Sequence, residues 1–317
     1  MFKKIVLSCV VCLLSGTVYA MENRPSSSTS VLSNQIYNKT NLNNSSLNSN
    51  KIIPSARVVL QFPQNKPELE AIVSLYDTAR DKGELATLPS VDSTRNNYGQ
   101  TFFMFAAMIG DCNSVDALLK HGAQIDAKDS LNRTALNWAA SSGVLIKDKS
   151  LLTFNSEEEQ ANSFALCSEK CIDAGANMNN FCYEKWDGVA TKNMTPLHSA
   201  CVCANEPLVR LILRKAEEKH MLKEVVAAKG HNGRTALHFT TRVCEGAVQK
   251  NLSLHEAAVM GNIARELIQK GCSKDEPDAY GKTPFQYANK YNLPNTFCNL
   301  LFSYNVIDAA RKNKLKK

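Results

Sequence analysis

Apolar and small residues recur in short blocks along the chain, and most of these blocks open with a Thr. The block at 101–107 reads TFFMFAA, and the block that begins 33 positions later, at 134–140, reads TALNWAA. Apolar positions then continue at helical spacing, as at Val115 and Leu118, until a Gly-Ala step at Gly122. Apolar residues three and four positions apart predict helices with one buried face, so the pattern predicts a series of helix pairs. The six blocks begin at Thr101, Thr134, Thr195, Thr235, Leu252 and Thr283.

The residue types within a block suit the start and the end of a helix. Thr195 is expected to cap its helix by accepting a bond from a free backbone N–H, and Pro196 loses no bond in the first turn. Small pairs such as Ala106-Ala107 let neighbouring helices approach closely, while Gly122 ends the second helix of a pair in the left-handed conformation. One helix pair cannot bury its own apolar face, so the pairs are predicted to stack.

Together these features resemble ankyrin repeats. The resemblance rests on the sequence TPLH at 195–198, on the 33-residue spacing and on the closing Gly-Ala step, and it covers residues 95–303. It implies an all-α solenoid of about five to six helix-pair modules that carry hairpin fingers. In that family the His of the motif is a structural residue that ties neighbouring modules together. His198, His238 and His255 occupy the position here.

The resemblance also implies a protein partner, because ankyrin repeats usually bind proteins on the concave face formed by the fingers and the inner helices. Trp186 is the preferred anchor, since an exposed aromatic side chain on a finger offers a large contact area at low entropic cost. Trp138 is as good a candidate for the core as for a contact. The chain is expected to be a monomer. The implied contact residues are Tyr98, Asn132, Trp138, Trp186, Lys192, His231, Asn232 and Tyr280.

The array, assigned to residues 96–303, is irregular. Extra residues predict an insertion at 144–166 and a long finger at 177–194. Thr235 and Thr283 lie 48 positions apart, which is 15 more than the regular spacing. Two interpretations of that interval stay open: a partial repeat followed by a whole one, or a single repeat with an insertion.

The ends of the chain are predicted to differ from the array. Residues 1–20 combine a basic start, a short apolar core and small residues at a cleavage position, which is typical of a signal peptide. Residues 21–60 are dense in Ser and Asn and are predicted to be a disordered linker. Residues 61–95 hold an amphipathic helix expected to cap the first module, and 304–317 form a basic tail. No stretch is long and apolar enough to predict stable membrane insertion.

Net charge argues against nucleic acid as the main ligand. The formal charge is +7, and seven basic residues near the two ends, two at Lys3-Lys4 and five within 311–317, account for all of it. The predicted array is therefore close to neutral. A nucleic-acid binder needs a basic face that displaces counterions from the phosphates.

The cysteines leave two interpretations open. The chain has eleven, of which two lie in the predicted signal peptide, so nine remain and cannot all pair with one another. One disulfide that fixes the insertion or the finger to the array would draw on Cys167, Cys171 and Cys182. Free, packed thiols are the other interpretation. The Cys-x3-Cys and Cys-x-Cys spacings match zinc knuckles poorly, so neither a metal nor another cofactor is expected.

Catalytic motifs are missing from the sequence: it has no Gly-x-Ser-x-Gly elbow, no phosphate-binding Gly-rich loop and no His-Glu-x-x-His helix. The favoured interpretation is therefore an exported, non-enzymatic protein that binds a protein partner, which could belong to a host cell. The alternative is a periplasmic scaffold or protective partner of another exported protein. An enzyme with a site in 144–194 is the third hypothesis.

Overall fold

The computed structural model describes residues 59–290 except 147, 187–188 and 242–253, together with Leu293. Several sequence predictions concern residues outside this described part. They are the signal peptide at 1–20, the linker at 21–60 except its last two residues, and the basic tail at 304–317.

Short helices dominate the described part of the chain, and one β-hairpin interrupts them. In chain order the elements are α1 (Lys66–Asp81), α2 (Phe102–Ile109), α3 (Cys112–Lys120), α4 (Ala135–Ala140), α5 (Glu157–Asp173), β1 (Cys182–Trp186), β2 (Val189–Met194), α6 (Pro196–Val202), α7 (Glu206–Glu218), α8 (Leu222–Ala227), α9 (Ala236–Phe239), α10 (Leu254–Gln269) and α11 (Pro284–Lys290). Short 3-10 turns lie at Leu85–Thr87, Lys149–Leu151 and His231–Gly233.

The helices stack in two rows. An inner row runs α2, α4, α6, α9 and α11, and an outer row runs α1, α3, α5, α7 and α10, with each helix packed on the next in its row. Inner and outer helices also pack as pairs: α2 with α3, α4 with α5, α6 with α7, and α9 with α10. The all-α solenoid predicted from the sequence is confirmed. Its described part holds four complete pairs and the inner helix of a fifth.

Inner helices are short because they are enclosed on several sides. All eight residues of α2 are buried, so this helix has no polar face. Its ends are set by side chains that the sequence predicted: Thr101 accepts a hydrogen bond from the backbone N–H of Met104, and Gly110 follows with a left-handed φ of 71°. α1 covers the first pair by packing on both α2 and α3.

The outer helix α10 contains a Gly that does not end it. Gly110 follows the last residue of α2, whereas α10 runs through Gly261 without a break. The physical reason is a continuous buried stripe at helical spacing, which includes Ala257, Met260 and Ala264. The packing of such a stripe outweighs the cost of about 1 kcal/mol for one Gly in a helix. Between Thr235 and Thr283 the described residues form one helix pair, α9 with α10, and residues 242–253 lie outside the described part.

The insertion at 144–166 lies next to the outer helix α5 and contributes its first turns. Part of it is a loop, and the rest forms the first half of α5, where Ser156 caps the helix and three Glu residues favour the positive end of its dipole. Phe154 of the loop packs on Phe164 of α5, with ring centroids 5.8 Å apart. Lys149 closes the loop by donating to the carbonyl of Gly143 at 2.7 Å. The insertion thus packs against the array.

Replacing Gly110 by Ala tests this packing. A Cβ on Gly110 would lie 2.8 Å from Cζ of Phe154, whereas a Cβ on Gly122 meets nothing within 4 Å. Both glycines have left-handed φ angles, so both Ala variants carry similar backbone strain. We expect Gly110→Ala to lower the free energy of unfolding by about 1–3 kcal/mol more than Gly122→Ala, measured by urea denaturation. Equal losses would show that the loop does not pack on Gly110 in solution.

Candidate interaction surface

Three of the fingers share one local geometry, set by an Asx side chain at the first position of the turn. Oδ1 of Asn96, Asp129 or Asp278 accepts hydrogen bonds from the backbone N–H groups two and four residues later, at distances between 2.9 and 3.0 Å. Asx side chains favour such turns because they replace a backbone acceptor. The fourth residue of each turn has a left-handed φ, which Gly99, Asn132 and Gly281 supply.

The third residue of each of these turns is apolar and exposed. Tyr98 is 62% exposed, Leu131 is 38% exposed and Tyr280 is 60% exposed. Their position follows from the turn. The N–H groups of the third and fifth residues both donate to the Asx side chain, and the side chain of the third residue stays at the tip. Three apolar residues at one structural position on three fingers are more informative than scattered surface apolar residues.

Backbone hydrogen bonds align the first three fingers. The N–H of Ser130 donates to the carbonyl of Tyr98 at 3.0 Å, and the N–H of Tyr183 donates to the carbonyl of Leu131 at 2.9 Å. Tyr183 is 47% exposed and Phe181 beside it is 40% exposed. Tyr98, Leu131, Phe181 and Tyr183 thus form a series of exposed apolar side chains along neighbouring fingers, called the finger row below.

The third finger is the long hairpin. β1 and β2 are antiparallel, with Glu184 opposite Thr191 and Trp186 opposite Val189. An irregularity between Cys182 and Glu184 interrupts the ladder near its base. Trp186 therefore lies at the end of β1 farthest from the array. The side chains of 185–192, including those of Trp186 and Lys192, lie outside the described residues.

A buried polar group supports the second finger from below. Oδ2 of Asp129 accepts hydrogen bonds from Nε of Arg133 at 2.8 Å and from Nε1 of Trp138 at 3.1 Å. The Arg133 guanidinium also lies 3.7 Å from the centre of the Trp138 ring. Trp138 is only 5% exposed, which corrects its assignment as a contact residue. It helps to hold the finger in place.

The last described finger has the same support with different residues. Oδ2 of Asp278 accepts hydrogen bonds from the Tyr287 hydroxyl at 2.6 Å and from Nε of Arg234 at 3.3 Å. Burial alone would raise the pKa of Asp278, but the hydrogen bond from Tyr287, those from the backbone and that from Arg234 lower it below its usual value. The carboxylate stays charged and keeps the turn closed.

The motif histidines are structural, as predicted, at two of the three positions. Nδ1 of His198 accepts from the backbone N–H of Thr195 at 3.1 Å, while Nε2 lies 3.2 Å from the carbonyl of Ala228 in the next finger. Nδ1 of His238 likewise accepts from the backbone N–H of Thr235, and its Nε2 contacts the carbonyl of Lys282. His255 differs: it is exposed on α10, where no Thr cap precedes it.

Asn137 performs the same task in the second module. Its Oδ1 accepts from the backbone N–H of Thr134 at 3.1 Å, and its Nδ2 donates to the carbonyl of Asn180 at 3.3 Å. An amide can thus replace the imidazole at this position, because both carry an acceptor and a donor on opposite sides.

The other predicted contact residues lie on fingers, but they are less exposed. Asn132 is half-buried and donates to the carbonyl of Phe181 at 2.7 Å. His231 and Asn232 form a 3-10 turn, and the carbonyl of Asn232 accepts from the N–H of Ala279 at 2.8 Å. Sequence reasoning found Tyr98 and Tyr280 and missed Leu131, Phe181 and Tyr183. The signal available for Leu131 was its position two residues after Asp129, equivalent to that of Tyr98 after Asn96.

Cys167, Cys171 and Cys182, for which the sequence left a disulfide and free thiols both open, are free thiols in this structure. Cys182 lies on β1, where its thiol donates to the carbonyl of Met194 at 3.3 Å. The other two lie one turn apart on α5, in a different element. Burial raises the pKa of Cys171 to about 12. Within the described residues, no three His, Cys, Asp or Glu side chains converge as a metal site would require.

An open groove of about 530 Å³ on the opposite side of the molecule is a weaker candidate site. It lies between the outer helices α5, α7 and α10, and three acidic and three basic residues line it. Several of these pair with one another, including Arg214 with Glu169 at 2.9 Å and Lys270 with Glu217 at 2.5 Å. The groove therefore offers no net charge to a ligand.

Stacked helix pairs with protruding fingers define the chain as a helical-repeat solenoid. Residues 75–157 match the family model of ankyrin repeats in three copies. Inversin from dog (Canis lupus familiaris) is 26% identical over 219 residues, or 68% of this chain, and mouse and human inversin are each 25% identical over the same length. The chain covers 16% of the length of these relatives. The chain therefore contains ankyrin repeats, at least across the matched residues.

These repeats support a role in protein–protein interaction, since ankyrin repeats are typically interaction modules without enzymatic activity. Within the described part of the chain, the helices are all too short or too polar to cross a bilayer.

The buried His198 makes the stability depend on pH. Burial lowers its pKa to about 4, below the value of about 6.5 for an exposed His. Between these values the unfolded chain binds a proton that the folded chain does not, so stability rises with pH across this window. We expect the free energy of unfolding to fall by as much as about 3 kcal/mol from pH 6.5 to pH 4 because of this residue.

His198→Asn is the matched control, because Asn137 makes the equivalent contacts in the second module. The variant should show a smaller loss of stability between pH 6.5 and pH 4, measured by urea denaturation at several pH values. An unchanged pH profile in His198→Asn would mean that His198 does not titrate in this range.

Proposed function

We propose that this protein is exported and binds another protein through the finger row and the neighbouring hairpin. The observation that carries the proposal is the exposure of Tyr98, Leu131, Phe181 and Tyr183 on fingers that are otherwise held by hydrogen bonds. Interfaces are enriched in aromatic residues, and their energy is concentrated in a few such side chains. A rigid support lowers the entropic cost of binding.

Trp186 stays the preferred anchor of the partner. It lies at the end of β1, on the long hairpin finger that also carries Tyr183. Trp186→Ala should weaken partner binding and leave the melting temperature nearly unchanged. A large fall in the melting temperature would instead make Trp186 a structural residue.

Export is the second part of the proposal. Its support is the sequence of residues 1–20, in which Lys3 and Lys4 precede an apolar core and Val18-Tyr19-Ala20 offers a cleavage position. Intact-mass measurement of the chain recovered outside the cytoplasm should give an N-terminus at Met21. A mature chain that still contains residues 1–20 would contradict cleavage.

Two variants test the finger row. The double change Tyr98→Ala and Tyr183→Ala removes two exposed aromatic side chains without touching a buried side chain. Loss of one hot-spot contact of about 2 kcal/mol would weaken partner binding about thirtyfold, so the double change should weaken binding by at least that factor. The matched control is Leu85→Ala, because Leu85 is 37% exposed on the 3-10 turn Leu85–Thr87, which belongs neither to a finger nor to the groove between the outer helices.

The measurement is affinity capture with residues 21–317 as wild type, double variant and control, quantified by mass spectrometry. Extract of the producing cell's envelope and lysate of a host cell are the two sources. A protein enriched by wild type and control but not by the double variant supports the finger row. Its source decides between a host-cell partner and a periplasmic scaffold or protective role. Equal enrichment by all three chains would contradict the proposed surface.

A further inference from the structure

Two cysteines meet where the outer helices α3 and α5 pack together. Cys112 is the first residue of α3, and its thiol donates to the carbonyl of Ser163 on α5 at 3.1 Å. In an α-helix this carbonyl belongs to the same turn as Cys167, four residues later. Cys167 is therefore close to Cys112 across the interface, and each thiol shifts the pKa of the other. They are 55 positions apart in the chain.

Contacts on both sides hold the two helices in this register. The hydroxyl of Ser163 donates to the carbonyl of Gly110 at 2.8 Å, just before α3 begins. One turn farther along α3, Asp116 forms an ion pair with Lys170 of α5. The cysteine pair lies between these two contacts, so neither helix can slide without breaking one of them.

The two thiols differ in access. Cys112 is half-buried, whereas Cys167 is fully buried. The hydrogen bond with Cys167 lowers the pKa of Cys112, and Ser163 and the charge of Lys170 lower it further. The pKa of Cys167 is raised by the same hydrogen bond and by burial. Cys112 is thus the thiol that an external reagent reaches first, as its thiolate.

We propose that Cys112 and Cys167 form a redox pair, which a disulfide oxidant such as glutathione disulfide converts into an intramolecular cross-link between α3 and α5. In the first step the Cys112 thiolate attacks one sulfur of the oxidant, and the other sulfur leaves as a thiolate and takes up a proton. In the second step Cys167 loses its proton and attacks the Cys112 sulfur of the mixed disulfide. The second oxidant thiol leaves with that proton, so two protein thiols are oxidised and one disulfide is reduced to two thiols.

The cross-link would fix the insertion to the first module. It closes a chain segment that contains the second finger, the loop at 144–156 and the first half of α5. A disulfide across a segment of this length restricts the unfolded chain and leaves the native packing in place. Cys171, one turn beyond Cys167, is also fully buried, and it has no contact with Cys112 comparable to that of Cys167.

Peptide mapping tests the pair directly. The full chain is reduced, freed of reductant, treated with glutathione disulfide, alkylated and digested with trypsin. Trypsin separates the candidates, since Cys112 lies in the fragment 96–120, Cys167 in 150–170, and Cys171 with Cys182 in 171–185. The expected result is a disulfide-linked pair of 96–120 with 150–170, with an intact mass lower by about 2 Da for the two hydrogens removed.

Thermal unfolding gives an independent measurement. The oxidised chain should melt about 5–10 °C higher than the reduced chain, and dithiothreitol should reverse the shift. Cys112→Ser should remove both the linked fragments and the shift, and circular dichroism should show that this half-buried change preserves the helices. Cys171→Ala is the matched control, and it should keep both.

Three results would overturn the proposal. The first is a linked pair that joins other fragments in the wild type and not 96–120 with 150–170. The second is a stable glutathione adduct on Cys112 that Cys167 does not displace. The third is an unchanged cross-link yield in Cys112→Ser.

Discussion

The structure depends on satisfying the buried polar groups at the start of each inner helix. These helices are enclosed by their neighbours, so their free N–H groups cannot reach water, and each group left unsatisfied would cost about 1–3 kcal/mol. A Thr together with a His or Asn three residues later solves this locally, as in Thr195 with His198. The same His also binds a carbonyl of the next finger. One side chain thereby caps its own module and attaches the following one.

This coupling explains why the fingers can carry exposed apolar side chains. The turns that carry Tyr98, Leu131 and Tyr280 are each closed by an Asx residue and are each joined to a neighbouring finger by a backbone hydrogen bond, so their shape does not depend on packing at the tip. Asp129 supports the tip from below through Arg133 and Trp138. The side chain at the third turn position is then free for a partner. Exposure at this position is a property of the turn and not a local packing defect.

The sequence predicted what local chemistry decides. Thr caps, the structural role of His198 and His238, and the helix-pair solenoid all follow from residue types at fixed spacing. Exposure was harder to predict, because it depends on residues that the fold brings together. Trp138 resembles an interface aromatic in sequence, yet Arg133 and Asp129 cover it. Gly261 resembles a helix end, yet the buried stripe on either side of it continues the helix.

Long-range pairing was the least predictable feature. Cys167, Cys171 and Cys182 were the candidates for a disulfide because they are close in sequence. The thiol that lies near Cys167 is that of Cys112, 55 positions away on another outer helix. No periodic signal marks it, because the insertion shifts α5 relative to the repeat. The insertion therefore adds a contact that regular repeats would lack.

The two sides of the solenoid consequently have separate tasks. The outer helices hold mutually paired charges and the Cys112–Cys167 contact, all of which join helix to helix. The fingers hold the exposed apolar side chains, which are not needed for that joining. A covalent bond between α3 and α5 would stiffen the modules that carry Tyr98 and Leu131 while leaving both side chains uncovered. Stabilisation and partner binding can therefore change independently in this protein, because they use different residues on opposite faces.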